Sequence, residues 1–389
     1  MTERYDVVIV GGGIHGAGVA QAAACDGYSA LVLEQTGLAA ATSSRSSKLI
    51  HGGLRYLEGL HFSLVRESLR ERTLLLKLAP ELVHLQAFHI PVYPETSRRP
   101  STIRAGLSLY ALLGGLRQAS RFRKLAPREW PELDGLETTR LQAVYRYYDA
   151  QTDDAALTRA VMHSAMDLGA GLHCPSEFTA AEITVSGCTV HYVSNGVVNS
   201  CSASVLVNAA GPWVNAVAGR IYPPPLKVAV DLVQGTHLVL EGGLEKGGYY
   251  LEAPADRRAI FFLPWKNQAL LGTTETLHTG NPADIAPLAG EETYLLETLR
   301  HYFPHRPQKV LDRYAGLRVL PVSRNAVFTR SRETRYAMDD PRRPRVVSIY
   351  GGKLTGYRAT SQQVMRLLHR TLPARTPVAH TARLRLNPV

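Results

Sequence analysis

The run Gly11-Gly12-Gly13-Ile14-His15-Gly16 follows directly on Asp6-Val-Val-Ile-Val10, and Glu34 closes the next apolar run. Residue types at this spacing suit the diphosphate of a dinucleotide. Gly11 permits a tight turn, Gly13 lets the backbone approach a pyrophosphate, and Gly16 lets a helix pack close to the strand. The N-terminus of that helix offers N–H groups and a partial positive charge, both favourable to phosphate. Glu34 stands where an acid can accept both hydroxyls of a ribose. Three glycines alone are a weak signal. Strand, glycines, helix, strand and acid in that order are a strong one.

These groups need elements to hold them. Val7–Val10 is a short β-branched run suited to a buried parallel strand, and Ala30–Leu33 suits its neighbour. The helix between them is rich in small residues, among them Ala17, Ala20, Ala22 and Ala24. A polar loop, Ala41–Lys48, leads into Leu49–Glu58, and the spacing of Leu, Arg and Glu predicts a helix from about Ser63 to Leu78. A further helix is expected from Asp153 to Gly169, then strands at 182–185 and 189–193 and one from Ser204 that ends in Asn208-Ala-Ala-Gly211-Pro212. Pro223-Pro-Pro225 marks an exit, after which runs at 235–240, 259–263 and 269–274 predict an antiparallel sheet. Val346–Tyr350 ends in Gly351-Gly352-Lys353 and precedes a closing helix from about Thr360 to Leu372. The pattern implies a nucleotide domain assembled from three chain segments, with a second domain inserted between them.

A chain of 389 residues is long enough for a large buried core in one or two intertwined domains. Its 45% hydrophobic and 20% charged content is that of a globular protein. No apolar run reaches the roughly 18 residues of a membrane span, and the glycine turn comes too soon for a signal peptide. Cys25, Cys174, Cys188 and Cys201 form no C-x-x-C pair and no zinc spacing with histidine, so reduced cysteines in a cytoplasmic protein are expected, with no metal site. The net charge of +11 raises the question of nucleic acid, but no nucleic-acid-binding signature accompanies it. The charge gathers between Arg98 and Arg128. There Ile103, Leu107, Leu109, Tyr110, Leu112, Leu113 and Leu116 are bordered by Arg98, Arg99, Arg104, Arg117, Arg121, Arg123, Lys124 and Arg128. Two readings stand: an interfacial helix on anionic lipid, or a helix whose apolar face is core.

The stretch Ala41-Thr-Ser-Ser-Arg-Ser-Ser-Lys-Leu-Ile-His-Gly-Gly-Leu-Arg-Tyr-Leu-Glu58 closely resembles the FAD-dependent glycerol-3-phosphate dehydrogenases, within the D-amino-acid-oxidase-like flavoproteins. Asn208–Trp213, Gln234–His237, Phe262–Trp265, Gly272–Thr274, Tyr314–Arg318 and Gly351–Arg358 match in family order and cover nearly the whole chain. The sequence departs from the family at several points. The usual C-terminal helical domain is expected to be absent, Gly-Thr-Thr-Asp reads Gly272-Thr-Thr-Glu275, and Asp-Ala-Arg-Leu reads Asp154-Ala-Ala-Leu157. An acidic stretch of the family is replaced by Gly316–Arg324. The fold class implied is α/β with an α+β insert: a discontinuous Rossmann-like FAD-binding domain (1–80, 147–222 and 312–389) and an inserted, mainly antiparallel β-sheet substrate domain (81–146 and 223–311).

The resemblance implies bound FAD, with Gly11, Gly13, Ile14, His15 and Gly16 at the pyrophosphate and Glu34 at the adenosine ribose. Thr42, Ser43 and Ser44 offer short hydroxyls beside the diphosphate or ribityl chain, and Lys48, Leu49 and His51 continue that run. Gly52 and Gly53 are expected to let backbone approach the isoalloxazine. Ala210, Gly211 and Trp213, with Gly351, Gly352, Lys353, Leu354 and Thr355, complete the cofactor set, the last group suiting the flavin pyrimidine edge. Arg55, Arg318, Arg330 and Lys353 are candidates to hold a phosphate dianion, and Tyr56 to orient the substrate hydroxyl. His51 and His237 are the candidate bases, each with a second reading: His51 as a flavin contact, His237 as a core histidine. The implied activity is oxidation of sn-glycerol 3-phosphate, or a close phospho-alcohol, to dihydroxyacetone phosphate by hydride transfer to the flavin, which belongs to glycerol metabolism. Electrons would pass to quinone or another acceptor, at the inner face of a membrane if the basic segment binds lipid. Two alternatives stay open: a flavoenzyme acting on a 2-hydroxy acid or amino acid, and a non-catalytic flavoprotein subunit.

Overall fold

The computed structural model describes residues 3–322 and 333–389. The first of its two sheets has a parallel centre: Gly171–His173, Ala30–Leu33, Arg4–Val10, Val197–Asn208 and Val346–Tyr350, in that spatial order. Val7 lies opposite both Ala30 and Val205, and Val207 opposite Val347. Alternate residues of a strand point to opposite faces, so these strands serve two cores. Val7, Ile9, Val32, Val205 and Val207 pack under the helices Ile14–Cys25, Asp154–Met166 and Tyr357–Leu368. Val8, Val10, Leu31 and Leu33 pack on the other face with Phe178, Val190 and Tyr192, from the antiparallel strands Ser176–Thr184 and Gly187–Ser194. Continuous apolar strands are what burial on both faces requires.

The helix Ile14–Cys25 is buried on nearly every side, wedged between the helices Asp154–Met166 and Tyr357–Leu368. Its small residues make that approach feasible. A Cβ on Gly18 would lie 2.8 Å from the Tyr357 ring and overlap the Ser361 hydroxyl. At Gly16 a Cβ would overlap the carbonyl oxygen of Gly11, within the turn itself.

The second sheet has ten strands and is antiparallel apart from the pairing of Val83–Val92 with Gly248–Glu252. Its backbone is the long pair Val230–Leu240 and Val310–Pro321, and it runs on through Gln268–Gly272, Ala259–Trp265 and Ala143–Thr152 to Leu49–Ile50. The helix Ala289–Tyr302 covers one face over Tyr249, Phe262 and Phe303. Helices Phe62–Leu78 and Pro100–Leu113 cover the other through Leu69, Leu107 and Tyr110.

One expectation from sequence needs correction, and one open alternative is narrowed. Leu49–Ile50, residues 147–152 and residues 312–321 pair within the second sheet, whereas the expected boundaries put them in the first unit. Their strand partners lie up to about a hundred residues away, and periodicity carries no information about partners. The apolar stripe in the basic segment is largely core: Leu107, Tyr110 and Ala111 are buried, and Ile103, Leu109 and Leu113 pack against the same cluster. Only Leu112 (62% exposed) and Leu116 (58%) face outward. Arg98 pairs with Glu58 and Glu252, and Arg123 with Glu129.

Replacing Gly16 by Ala puts a methyl group against a backbone oxygen that cannot move without opening the turn. Overpacking of this kind costs about 1–3 kcal/mol, and urea unfolding should show a lowered midpoint. Wild-type stability in Gly16→Ala would overturn this account of the glycine.

Candidate active site

A cleft of about 900 Å³ opens between the two sheets. At one end the turn after Arg4–Val10 forms its floor. Gly11 has φ +109°, and a Cβ there would lie 2.7 Å from the Ala209 carbonyl oxygen; at Gly12 it would lie 2.9 Å from the Glu34 side chain. The helix Ile14–Cys25 starts from an extended Gly13 that has no side-chain cap, and the Ile14 N–H donates to Ser43 Oγ at 2.9 Å. Glu34 is fixed at the wall by N–H donors from Gly12 (2.6 Å) and Thr36 (2.9 Å). Thr42 and Ser44 turn their hydroxyls to the carbonyls of Leu317 and Ala41. Both residues flank Ser43 in a short 3-10 turn.

Further along, Gly351 (φ +74°) and Gly352 (φ +109°) end the strand Val346–Tyr350, and a Cβ on Gly352 would overlap the His15 ring. The first and last segments of the chain therefore meet ring against backbone. His15 is half-buried and lines the cleft, and its buried Nε2 has no hydrogen-bond partner among the described residues. Thr355 Oγ1 accepts from the His51 N–H at 3.0 Å, which ties the same C-terminal loop to residues 49–53. Ala210, Gly211, Trp213, Leu49, Leu354 and Gly53 also line the cleft. A glycine cradle at a helix N-terminus, an acid at the next strand end and an orphaned ring nitrogen form a donor set that fits a flavin dinucleotide.

The opposite wall belongs to the second sheet. Arg318 projects from Val310–Pro321, donating to Thr273 Oγ1 (2.9 Å) and pairing with Glu275 (3.3 Å). Gly235 on the facing strand makes room, since a Cβ there would lie 2.5 Å from the guanidinium. Lys353 Nζ sits 3.9 Å from the centre of the Tyr56 ring, and Arg55 lines the same stretch. His237, 2% exposed, contacts Ser47 Oγ through Nε2 at 2.9 Å and stacks on Tyr314 with ring centres 4.9 Å apart.

Some sequence candidates lie elsewhere. Gly16 is behind the turn. The Lys48 side chain leaves the cleft for a buried salt bridge with Asp154 at 2.6 Å. Gly52 is a glycine because Tyr110 and Leu69 press on it; Gly53 does line the cleft, with a φ of +75° and Tyr56 packed over it. Arg330 lies outside the described residues.

Several residues that sequence reasoning passed over are part of the arrangement. Asp149, buried, accepts from Arg72 (2.5 Å), Tyr110 (2.8 Å) and the Gly52 N–H (3.1 Å). Asp154, Ser47, Thr273 and Glu275 likewise fix cleft residues. Glu275 and Asp154 stand in segments that match the family with one residue changed, a signal that could have marked them; Asp149 carries none.

Fold and cleft together define a redox enzyme that works with a bound dinucleotide. The chain belongs to the FAD-dependent oxidoreductase family, whose model matches residues 6–358, and FAD is its cofactor. It is 35% identical to a glycerol-3-phosphate dehydrogenase of Pseudomonas aeruginosa over 378 residues, 95% of this chain and 72% of that protein. It is 33% identical to a D-erythritol 1-phosphate dehydrogenase of Brucella abortus, covering 95% of this chain and 75% of that one. Among solved structures, the glycerol-3-phosphate dehydrogenase from Bacillus halodurans complexed with FAD superposes with a TM-score of 0.78 at 24% identity, covering 98% of this chain and 68% of that one. The L-alpha-glycerophosphate oxidase from Mycoplasma pneumoniae gives 0.77 at 18%, covering 100% and 99%. These two likenesses establish the shared fold.

Three histidines are held neutral. Burial lowers His15 to about 4, and burial with the Arg146 guanidinium lowers His89 to about 4. Burial, Arg318 and Lys48 hold His237 well below its ordinary value. An unfolded chain protonates such rings near 6.5, so between these values the unfolded state binds more protons and stability falls as pH falls. Between pH 7 and 5, His15 and His89 should each cost about 2 kcal/mol. Urea unfolding across that range measures it, and a level profile would overturn the neutral assignment.

Proposed function

We propose that the protein oxidises sn-glycerol 3-phosphate, or a close phospho-alcohol, to the corresponding ketone, dihydroxyacetone phosphate. The observation that carries this reading is a pair of cations, Arg318 and Lys353, set in the same cleft as the glycine cradle and a neutral imidazole. The relatives that act on phosphorylated polyols support it.

FAD supplies an acceptor for a hydride from the carbinol carbon. The chain's own residues do the rest. The Gly11–Gly13 turn and the Ile14–Cys25 N-terminus would hold the diphosphate, with Ser43 available to it, and Glu34 would receive the adenosine ribose. Gly351–Thr355 would border the flavin ring. Glu275 and Thr273 aim the Arg318 fork, and Arg318, Lys353 and Arg55 grip the substrate phosphate. Tyr56, under Lys353, orients the substrate hydroxyl. His237, neutral at physiological pH, receives the hydroxyl proton. The electrons then pass to a quinone or another acceptor.

Anaerobic flavin reduction over a panel of phospho-alcohols, 2-hydroxy acids and amino acids tests the substrate. Glycerol 3-phosphate or a tetritol phosphate should bleach the flavin, and bleaching by the acids alone would overturn the reading. Arg318→Ala and Lys353→Ala should each lower kcat/KM by about 30- to several-thousand-fold, matching about 2–5 kcal/mol for a lost charged contact. FAD content should stay near normal in Arg318→Ala. Near-wild-type kcat/KM in both variants would remove the anion site.

A quinone acceptor is reached at a bilayer, and the support for a membrane-facing surface is Leu112 and Leu116, exposed among Arg104, Arg117 and Arg121. No helix among the described residues is long and apolar enough to cross a membrane. Co-sedimentation should show stronger binding to anionic than to neutral vesicles, weakening with salt, since each basic residue contributes about 1 kcal/mol at such a surface. Equal, negligible binding to both would leave an acceptor in solution.

A further inference from the structure

His237 lines the cleft but is only 2% exposed, so little of its ring is open to a hydroxyl bound there. Nδ1 is enclosed, with no hydrogen-bond partner among the described residues. Among the described residues the hydrogen-bond partner of Nε2 is Ser47 Oγ, 2.9 Å away, on a half-buried residue of the lining. Building on the phospho-alcohol reading, we propose that Ser47 is a catalytic residue that connects the substrate hydroxyl to His237. Ser47 Oγ takes the hydroxyl proton of the substrate while its own proton passes to His237 Nε2. The carbinol carbon loses two electrons as its hydrogen leaves as hydride for the oxidised flavin. The proton ends on the imidazole, and the product is the ketone.

The surroundings hold both partners in register. Asp154 Oδ2 accepts from Ser46 N (2.9 Å) and Ser46 Oγ (2.6 Å), and Asp154 Oδ1 from Lys48 Nζ (2.6 Å), which pins the residues on either side of Ser47. Tyr314 donates its hydroxyl to the Ser46 carbonyl at 2.9 Å, and its ring stacks on His237 at 18° between planes. On the other side a Cβ at Gly272 would overlap the imidazole, so that strand closes directly on the ring. With the ring clamped on two faces, His237 cannot swing into the cleft, and a fixed hydroxyl at its rim is the available path. Positioning within a few tenths of an ångström is what such a transfer demands.

The charges facing the ring set when it accepts a proton. Arg318 and Lys48 disfavour an imidazolium, Tyr314 is a neutral phenol against it, and Glu275 and Asp154 offset the two cations only in part. A substrate dianion on Arg318 compensates that cation and raises the basicity of His237, so the base is strengthened when substrate is bound.

The path makes one structural demand: a neutral His237 must carry its hydrogen on Nδ1 and accept at Nε2. Nitrogen NMR of histidine-labelled holoenzyme should find Nδ1 protonated in the wild type, and Ser47→Ala should shift the Nε2 signal. Ser47→Ala should slow flavin reduction by glycerol 3-phosphate by about 10²-fold or more, the size of a general-base contribution, with FAD content and KM little changed. Ser47→Thr, which keeps a hydroxyl, should recover most of the rate. A hydrogen on Nε2 in the wild type, or a Ser47→Ala rate close to wild type, would overturn the proposal. If glycerol 3-phosphate fails to reduce the wild-type flavin, the substrate reading falls, while the NMR comparison still decides the contact between Ser47 and His237.

Discussion

Three chain segments converge on the turn that ends Arg4–Val10, and they come close enough that an added side chain on its glycines or on Gly352 is excluded. Gly11 lies against the Ala209 carbonyl, Gly12 against Glu34, Gly16 against Gly11, and His15 against Gly352. Each contact is a steric condition rather than a large attraction, and a single methyl group would violate any of them. Because they are met together, strand ends about 340 residues apart in sequence (Gly11 to Gly352) share one rim. Every element of the cleft takes its position from that rim.

The wall opposite is governed by charge. Arg318 is aimed by Thr273 and Glu275 and stands near a histidine that burial has already made hard to protonate. A cation next to a buried imidazole is unfavourable only for the charged ring, so the arrangement keeps His237 neutral without destabilising the neutral fold. The same cation is what an anionic substrate needs. In the proposed reaction the phosphate site and the base are therefore linked through one guanidinium.

Two buried acids hold the loop between these walls. Asp154 gathers Ser46 and Lys48, and Asp149 gathers Gly52, Tyr110 and Arg72. Neither carboxylate is exposed, and each is satisfied by several donors, as buried charge requires. The loop 46–53 is consequently a fixed edge of the cleft. Tyr110 also ties it to the helix Pro100–Leu113, which carries Arg104 and leads into the basic residues 117–128.

The opening strand, turn, helix and acid were legible in the sequence because their geometry is local: the turn and helix packing depend on residues within a few positions. The parallel strands were legible for a related reason, since burial on both faces leaves an unbroken apolar run. The anion-site and base candidates Arg318, Lys353, His51 and His237 came from motif resemblance, and the folded chain brings all four to one cleft. Other matters lay beyond the sequence. The strand assignments of residues 147–152 and 312–321 depend on distant partners, and the meaning of Gly52 depends on a tyrosine 58 residues away. Lys48 reads as a cofactor residue until Asp154 is placed beside it, and Ser47 reads as one of several loop serines until His237 arrives. Sequence fixes what each residue can do within its own turn or strand; which of two compatible partners it meets is decided by tertiary packing, because burial leaves a polar group only the neighbours that the fold brings within hydrogen-bonding distance.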